Sequence, residues 1–486
     1  MNDNMRAKLY MVFLFAALLI GCSPTRRDVK EVDLPVPIYP DYTNITIPYN
    51  IAPLNFVMRE GVDKVCVQVE GEHGRFEQTA MHVVRFPFRR WKRFLEKERG
   101  CTVKVSITAL IDEQWFRFPA FTWQVTEEAI DPYLSYRLIE PGYEVWNKLQ
   151  LQERNVENFD ERILIDNQDT DGSCINCHIH NNARGDLSFF HLRGKQGGTF
   201  LNRNGEMRKL NLRGRQFPNG AVYGDLHPSG RYGVFSSNQI IPSFHAAVDR
   251  RMEVYDTSSD LLIADFDSRQ LFTSPLVSGP ERLETFPVFS PQGDSIYFCV
   301  ANAPERPEQA DSVHYALCRI AFDPHSGNWG DRIDTLWQAA NGSANFPKVS
   351  PDGRYLLFTE SAQGTFPLWH READLRMIDL RTGAIDSLQT VNAPHHSDTY
   401  HSWSSNSRWF VFASKRGDGI YGKPYFAYID AEGRAHKPFV LPQEDPEHYD
   451  LTLKSYNIPE LSASPVPFDA NCVRQHYRHQ EAESFE

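Results

Sequence analysis

The chain has 486 residues, with 51 lysines and arginines against 63 aspartates and glutamates, so its formal net charge is −12 at pH 7. Nucleic acid is therefore not expected as a partner, because an acidic surface repels the phosphate backbone. Apolar residues make up 41% of the chain, which is ample for large cores and predicts two or three domains. The 32 Phe, 20 Tyr and 9 Trp favour β-strands.

The N-terminus has the pattern of a bacterial lipoprotein signal. A short basic segment precedes an apolar run over residues 9–20, which is too short to cross a bilayer, and Gly21 precedes Cys22. We expect residues 1–21 to be removed and Cys22 to carry lipid. An ordinary signal peptide with a chance cysteine is the alternative. Ser23 stands where inner-membrane lipoproteins of Gram-negative bacteria carry Asp, so the sequence predicts an outer-membrane anchor with the body facing the periplasm.

The next two segments differ sharply in pattern. Residues 22–43 are charged and rich in proline, which predicts a tether from the membrane. Residues 44–130 contain short alternating apolar runs, which predict a small β-sandwich-like domain. A basic run over residues 89–97 interrupts this pattern and is typical of a solvated helix or edge strand.

Residues 174–178 read Cys-Ile-Asn-Cys-His, the attachment signature of c-type haem. In that chemistry Cys174 and Cys177 form thioethers with the two vinyl groups, and His178 binds the iron as the proximal axial ligand. Two intervening residues bring both sulfurs to one side of a turn. The sequence therefore predicts covalent haem c as the cofactor.

Other interpretations of this motif stay open. Cys174 and Cys177 can form a redox or structural disulfide, although the βαβ pattern of thioredoxin-like proteins is absent from the sequence. A zinc site using these residues would need a further ligand, and no second Cys-x-x-Cys occurs.

Beyond the haem motif the chain repeats itself every 54 to 63 residues. In each repeat a tight turn rich in Ser, Pro, Asp and Gly precedes an apolar strand that ends in Phe. The aligned segments are Leu226–Phe235, Phe289–Phe298, Val349–Phe358 and Trp403–Phe412. Four strands per repeat predict the blades of a β-propeller, and the period is too short for independent sandwich domains of about 100 residues.

These repeats resemble TolB-type propellers, whose Ser-Pro-Asp-Gly turn is intact at residues 350–353. Further segments are similar to a family of bacterial outer-membrane lipoproteins that couple such a propeller to an embedded haem motif. Those segments are Ile130–Tyr133, Arg137–Tyr143, Gly197–Thr199, Tyr400–Ser405 and Ser455–Glu460. The resemblance implies an all-β fold with a propeller of five or six blades over residues 186–470. Residues 131–185 would then form a connector that carries the haem motif, and residues 471–486 a tail.

The distal haem ligand is less constrained than the proximal one. His191 falls almost directly across a hairpin from His178, about 5 Å away, which is too close for a ligand on the opposite haem face. His245 in a long loop is the candidate distal ligand, and an open sixth position is an equal alternative.

The remaining cysteines offer further pairings. Cys66 and Cys101 lie in two strand-like runs of one domain and are candidates for a disulfide. Cys299 and Cys318 can bridge two strands or stay as buried thiols. Cys472 is left over.

No catalytic motif stands out, so we do not expect an enzyme. The leading hypothesis is a membrane-anchored, periplasmic haem-c protein that transfers electrons to a redox partner or senses redox state or a small ligand. The alternative is a non-enzymatic propeller scaffold that binds an envelope protein or glycan, with Cys174 and Cys177 as a structural disulfide.

Overall fold

The computed structural model describes residues 29–59, 61–140, 147–244 and 252–486. Strands dominate, so the predicted all-β class is confirmed. No helix in these four ranges is long and apolar enough to cross a membrane.

The N-terminal domain consists of two sheets and one helix. A seven-stranded sheet contains the path β1-β9-β8-β10-β3, with β5 paired to β8 and β6 paired to β5, and a three-stranded sheet has the order β2-β4-β7. The strands are β1 (Val29–Glu31), β2 (Ile38–Tyr39), β3 (Ile45–Pro48), β4 (Phe56–Met58), β5 (Val62–Glu70), β6 (Arg75–Ala80), β7 (Val83–Val84), β8 (Thr102–Ile111), β9 (Gln114–Arg117) and β10 (Phe121–Thr126). Because β1 and β2 fall within residues 22–43, part of the predicted tether belongs to this domain.

The basic run at residues 89–97 lies in helix α1 (Phe88–Lys97). Its buried residues Trp91, Phe94 and Leu95 recur at helical spacing and face the sheet, while its basic residues face solvent. Trp91 stacks on Phe86 at 5.2 Å and meets Trp123 edge-on at 5.5 Å. These rings form the centre of the domain core.

The rest of the fold consists of five sheets, which we divide into six antiparallel units of four strands each, numbered 1 to 6. Units 2 and 3 belong to one eight-stranded sheet, in which a single parallel bridge between Ser259 and Leu283 joins them. The strands of units 1 to 3 are β14 (Ile175–Asn181), β15 (Arg184–Leu192), β16 (Gly198–Arg203) and β17 (Glu206–Asn211); β18 (Gly224–Leu226), β19 (Tyr232–Phe244), β20 (Met252–Asp265) and β21 (Gln270–Phe272); and β22 (Arg282–Phe289), β23 (Ser295–Asn302), β24 (Ala316–Asp323) and β25 (Asn328–Trp337). The strands of units 4 to 6 are β26 (Ser343–Val349), β27 (Tyr355–Ser361), β28 (Asp374–Asp379) and β29 (Ile385–Asp386); β30 (Asp398–Trp403), β31 (Trp409–Ser414), β32 (Lys423–Tyr428) and β33 (Phe439–Val440); and β34 (Ser455–Ser462), β11 (Tyr133–Ile139), β12 (Leu149–Asn155) and β13 (Glu161–Asp166).

The first strands of the six units contact one another in sequence, from β14 through β18, β22, β26 and β30 to β34. Strand β34 in turn contacts β14, so the first strands form a closed cycle. Unit 6 is assembled from distant parts of the chain, because β34 pairs with β11 in antiparallel register. Residues 131–185, predicted as a connector, therefore supply three strands of unit 6 and the first strand of unit 1.

The predicted turns join the first two strands of several units. In unit 4 the Ser350 hydroxyl donates to Asp352 at 2.6 Å and accepts from the Tyr355 amide at 2.9 Å. Gly353 closes the turn with φ of 73°, a left-handed conformation that favours glycine. Ser290 accepts from the Asp294 and Ser295 amides in the same way in unit 3.

The C-terminal residues pack onto unit 1. Helix α2 (His448–Leu451) precedes β34, and helix α3 (Ala470–His479) follows it. Strand β35 (Glu483–Ser484) then adds to β17 in parallel. Val473 and Tyr477 of α3 are buried in the same apolar cluster as Phe190. The predicted tail thus lies on the fold as a helix and a short fifth strand.

The N-terminal domain shares its core with units 5 and 6. Trp409 lies in the same buried cluster as Trp91 and Trp123, and its indole N–H donates to the Glu128 carbonyl. At the edge of this contact, the Lys437 ammonium pairs with Asp41 at 2.8 Å.

Candidate functional site

Five of the six first strands have a β-bulge at the same place, and each bulge holds a non-glycine residue in the left-handed conformation. The φ angles lie between 43° and 53°. Unit 2 has no such φ, but Tyr223 holds the corresponding position because Asp225 pairs with Val234 two residues on. The six residues, which we call the bulge ring, are Cys177, Tyr223, Phe286, Phe346, Tyr400 and Ile458.

Neighbouring aromatic members of the bulge ring are in contact. The ring centroids of Tyr223 and Phe286 are 4.6 Å apart, those of Phe286 and Phe346 4.6 Å, and those of Phe346 and Tyr400 4.4 Å. Tyr223, Phe346, Tyr400 and Ile458 keep partial exposure to solvent. Because the six first strands form a closed cycle, the bulge ring lies around the centre of the six units.

The Cys-His pair of the haem motif has a structural counterpart in the other units. Cys177-His178 occupies the place held by Phe286-Pro287, Phe346-Pro347, Tyr400-His401 and Ile458-Pro459 in the other bulged units. Half of the haem signature is therefore also the bulge dipeptide of a structural repeat. The bulge dipeptide has a sequence signal, because an aromatic or aliphatic residue followed by Pro or His recurs in the repeats. That signal lies before the turn that identifies each repeat in the sequence, so the turn alone does not reveal it.

Arg137 of β11 joins the two strands that close the cycle. Its guanidinium donates to the Ile175 carbonyl at 2.9 Å, to the Asn176 side chain at 3.2 Å and to the Asn457 side chain. The charge lies close enough to lower the pKa values of Cys177 and His178. Burial has the larger effect on the thiol and raises the pKa of Cys177 to about 11, so this thiol is protonated at neutral pH.

A charged layer lies two residues beyond the bulge ring in the same strands. Lys348 of unit 4 pairs with Glu460 of unit 6 at 3.1 Å across unit 5, while Asp225 of unit 2 accepts from the Phe289 amide at 3.0 Å. Burial raises the pKa of Glu460 to about 7, although Lys348 opposes the shift. Burial likewise raises the pKa of Asp225.

Four buried histidines surround these layers as neutral imidazoles. Burial lowers the pKa of His178 well below its ordinary value, those of His180 and His191 to about 4, and that of His401 to about 3. His180 bonds to the Ser135 hydroxyl at 2.7 Å, and His191 bonds to Thr199. Within the described ranges, neither ring nitrogen of His178 has a hydrogen-bond partner of ordinary geometry.

A cleft of about 420 Å³ opens beside Cys174. Arg193 and Lys195 lie on one side of it and Tyr477 lies among the other lining residues. Arg193 also lies near enough to Cys177 and Tyr223 to lower their pKa values, so the cleft lies close to the bulge ring. The cleft combines a half-buried thiol with two cationic side chains.

The arrangement of Cys174, Cys177 and His178 differs from the one that covalent haem requires. Attachment requires two thiols and an imidazole to reach one porphyrin, but residues 175–178 lie on β14 rather than on a turn, and Cys177 and His178 form the bulge of that strand. Cys174 lines the cleft, whereas Cys177 and His178 are buried and line no part of it. The three groups do not share one cavity, so this arrangement does not fit c-type haem. The attachment stays a prediction from the sequence.

Three further residues considered in the sequence are Cys22, His245 and His191. Cys22 and His245 lie outside the described residues. His191 pairs with Asn176, close to the position expected opposite His178.

The structure does not form the disulfide considered between Cys66 and Cys101. The Cys66 thiol donates a hydrogen bond to Glu77, whereas Cys101 lies beside Glu72 and His73. Glu72 and His73 follow Cys66 in the chain by six and seven residues. At about 3.3 Å per residue that is roughly 20 Å, far beyond the reach of a disulfide.

Cys299 and Cys318 are also free. Their pairing partners are Leu317 and Phe298, which places the two thiols on opposite faces of unit 3. The bridge considered for this pair is therefore absent, and both cysteines are buried thiols.

Comparisons with known proteins give only distant likenesses. No family model matches the chain, and no curated protein matches it. A puromycin-hydrolyzing peptidase of Mycobacterium tuberculosis has 16% identity and a TM-score of 0.35, covering 55% of this chain and 38% of its own. A mutant of Synechocystis ACO has 11% identity and a TM-score of 0.40, covering 88% and 95%. A DUF4784 family protein from Bacteroides caccae has 8% identity and a TM-score of 0.31, covering 84% and 97%. The chain thus spans less than half of the peptidase, and these scores are too low to carry an argument about function.

The raised pKa of Glu460 predicts a pH-dependent stability. As pH rises from 4.5 toward 7, the unfolded state loses the Glu460 proton before the folded state does, so the contribution of Glu460 to stability falls over this window. Glu460→Gln lacks this loss and should gain roughly 3 kcal/mol relative to wild type between pH 4.5 and 7, at about 1.4 kcal/mol per pKa unit. Urea unfolding at pH 5 and pH 8 measures it. The exposed Glu305→Gln is the control, and an equal difference at both pH values for Glu460→Gln would contradict the assignment.

Proposed function

We propose that the six units are the blades of a six-bladed β-propeller, and that the protein is a membrane-anchored scaffold that binds another protein of the cell envelope. The cyclic contacts among the first strands and the pairing of β34 with β11 support the propeller. A last blade made from both chain ends lets the sheet units close around an axis without leaving long free edges.

The observation that carries the binding proposal is the bulge ring. Four aromatic side chains, contributed by four different units, contact one another in series, and three of them keep partial exposure. Aromatic side chains are enriched at protein interfaces because they bury much apolar area at a low cost in side-chain entropy. The partial exposure of Tyr223, Phe346 and Tyr400 supports a role beyond core packing.

The shape and charge of this region favour a protein partner that inserts an apolar side chain. Because the bulge ring lies inside the cycle of first strands, we expect one protruding group to reach it better than a flat surface. The nearby cleft presents Arg193 and Lys195, which would pair with acidic residues flanking that group. We place the partner in the envelope because the N-terminus has the lipoprotein pattern.

A haem-c protein for electron transfer or for redox or ligand sensing is the second candidate. The observation that favours it is His178, a buried neutral imidazole that lacks a hydrogen-bond partner of ordinary geometry in the described structure. Such a group is the form of histidine that binds metals. Attachment to Cys174 and Cys177 would require β14 to leave the bulged conformation.

A photo-reactive phenylalanine analogue at position 346 should crosslink to the partner in intact cells. Phe346 lies in the bulge ring with partial exposure. The same analogue at Phe88, which is 40% exposed on the N-terminal domain, is the matched control. We expect one discrete, protease-sensitive adduct at position 346 and none of that mass at position 88. Identical adducts at both positions, or no adduct at position 346, would remove the proposed binding face.

Peptide mass mapping of protein purified from its native envelope separates the two candidates. The scaffold predicts that the peptide containing Cys174 and Cys177 carries no haem. It has either two free thiols or a loss of two hydrogens from a disulfide. A mass gain corresponding to haem on this peptide would establish the second candidate instead.

We also propose that Cys22 carries lipid and tethers the protein to the outer membrane with its body in the periplasm. Replacing Cys22 with Ala should move the protein from the membrane to the soluble periplasmic fraction, because a lipid chain supplies the tether in this proposal. Fractionation followed by immunoblotting measures it. Continued membrane association of the variant would show that another segment holds the protein there.

A further inference from the structure

The turn between β5 and β6 lies against the residues that follow α1, and together they gather a thiol, an imidazole and carboxylates. The Cys101 Sγ lies 3.5 Å from the Glu72 Oε2 and 3.8 Å from the His73 Nδ1. One donor atom from each of these three side chains lies within 4.8 Å of the others. All three are accessible to solvent to some degree.

Glu98, the residue after α1, fixes this turn. Its side chain is fully buried, and its carboxylate accepts from the Glu72 amide at 2.8 Å and from the His73 amide at 2.9 Å. A Cβ on Gly71 would lie 2.3 Å from the Glu98 carboxyl carbon, so only glycine permits this approach. The sequence Gly-Glu-His-Gly therefore wraps around an anchored carboxylate and holds the Glu72 and His73 backbones beside Cys101.

The two sulfur-centred separations match the edges of a tetrahedral metal site, and the third separation, between Glu72 and His73, is within 4.8 Å. With a metal–sulfur distance of about 2.3 Å and metal–nitrogen or metal–oxygen distances of about 2.0–2.2 Å, a tetrahedron has sulfur–nitrogen and sulfur–oxygen edges of roughly 3.5 Å. The observed separations of 3.5 and 3.8 Å need only small side-chain adjustments to reach that geometry. Since Cys101 forms no disulfide, its thiol is available as a ligand.

We propose that Cys101, His73 and Glu72 bind a zinc ion, with Glu98 as the positioning residue that holds the turn. A thiolate and an imidazole select borderline divalent ions such as zinc over calcium or magnesium, which prefer oxygen ligands. On binding, Cys101 releases its proton to solvent and the thiolate bonds to the metal. Two carboxylates beside one thiol also create a local excess of negative charge, which a divalent cation neutralises. The site depends on neither proposed function, because it lies in the N-terminal domain.

Titration with Co²⁺, used as a spectroscopic probe for zinc, tests the site on the full chain in detergent. We expect a sulfur-to-cobalt charge-transfer band in the near ultraviolet, intense visible bands typical of tetrahedral coordination, and loss of both on adding Zn²⁺. Cys101→Ser should abolish the charge-transfer band, and His73→Gln should weaken binding at least about tenfold.

Two matched controls separate this site from other thiols and imidazoles. His82→Gln removes an exposed imidazole of the same domain, and Cys472→Ser removes a thiol distant in sequence; both should bind Co²⁺ like wild type. Urea midpoints of all variants should agree with wild type, because the replaced side chains are accessible or lie on the surface of the fold. Absence of the charge-transfer band in the wild-type protein, or its persistence in Cys101→Ser, would overturn the proposal.

Discussion

The pairing of β34 with β11 is the contact on which the rest of the structure depends. Strand β34 lies near the C-terminus and β11 follows the N-terminal domain, yet they share antiparallel register from Tyr133 to Ile139. Without this pairing, unit 6 would lose its first strand and β14 would lose a neighbour. Arg137 reinforces the joint, because one guanidinium reaches both β14 and β34. The N-terminal domain then packs against units 5 and 6, beside the place where the cycle closes.

The bulges determine which side chains lie around the centre of the six units. A left-handed non-glycine residue costs about 1–2 kcal/mol, and the fold accepts this cost in five units. Such strain persists only where the surroundings over-determine the conformation. Here the contacts between successive aromatic rings and the regular pairing on both sides of each bulge supply that constraint. The bulge in unit 1 follows the same rule, with a thiol at the position that other units give to Phe, Tyr or Ile.

Much of the fold could be predicted from local patterns, and the errors came from non-local pairing. The turn at residues 350–353 and the strands that follow each turn have clear sequence signals, because turn chemistry and alternation are local. Strands β11 to β13 have comparable alternation, but no local signal says that the fourth strand of their sheet is β34, about 300 residues away. The disulfide expected between Cys66 and Cys101 is absent for the same reason. Only the register between β5 and β8 decides whether the two thiols lie close together, and that register has no local sequence signal.

The haem signature shows how a motif depends on the backbone that carries it. Cys-x-x-Cys-His can attach haem when its backbone forms a turn, because a turn brings the two sulfurs and the imidazole to the same side. In this structure the three residues have different surroundings. Cys174, just before β14, lines an open cleft, whereas Cys177 of β14 belongs to the bulge ring and His178 is buried. The flanking repeat gives a physical reason for this conformation, since the Cys-His pair has the bulge position of Phe286-Pro287 and Tyr400-His401. Binding haem would therefore compete with closing the first unit into the cycle, and the backbone of residues 175–178 decides between the two.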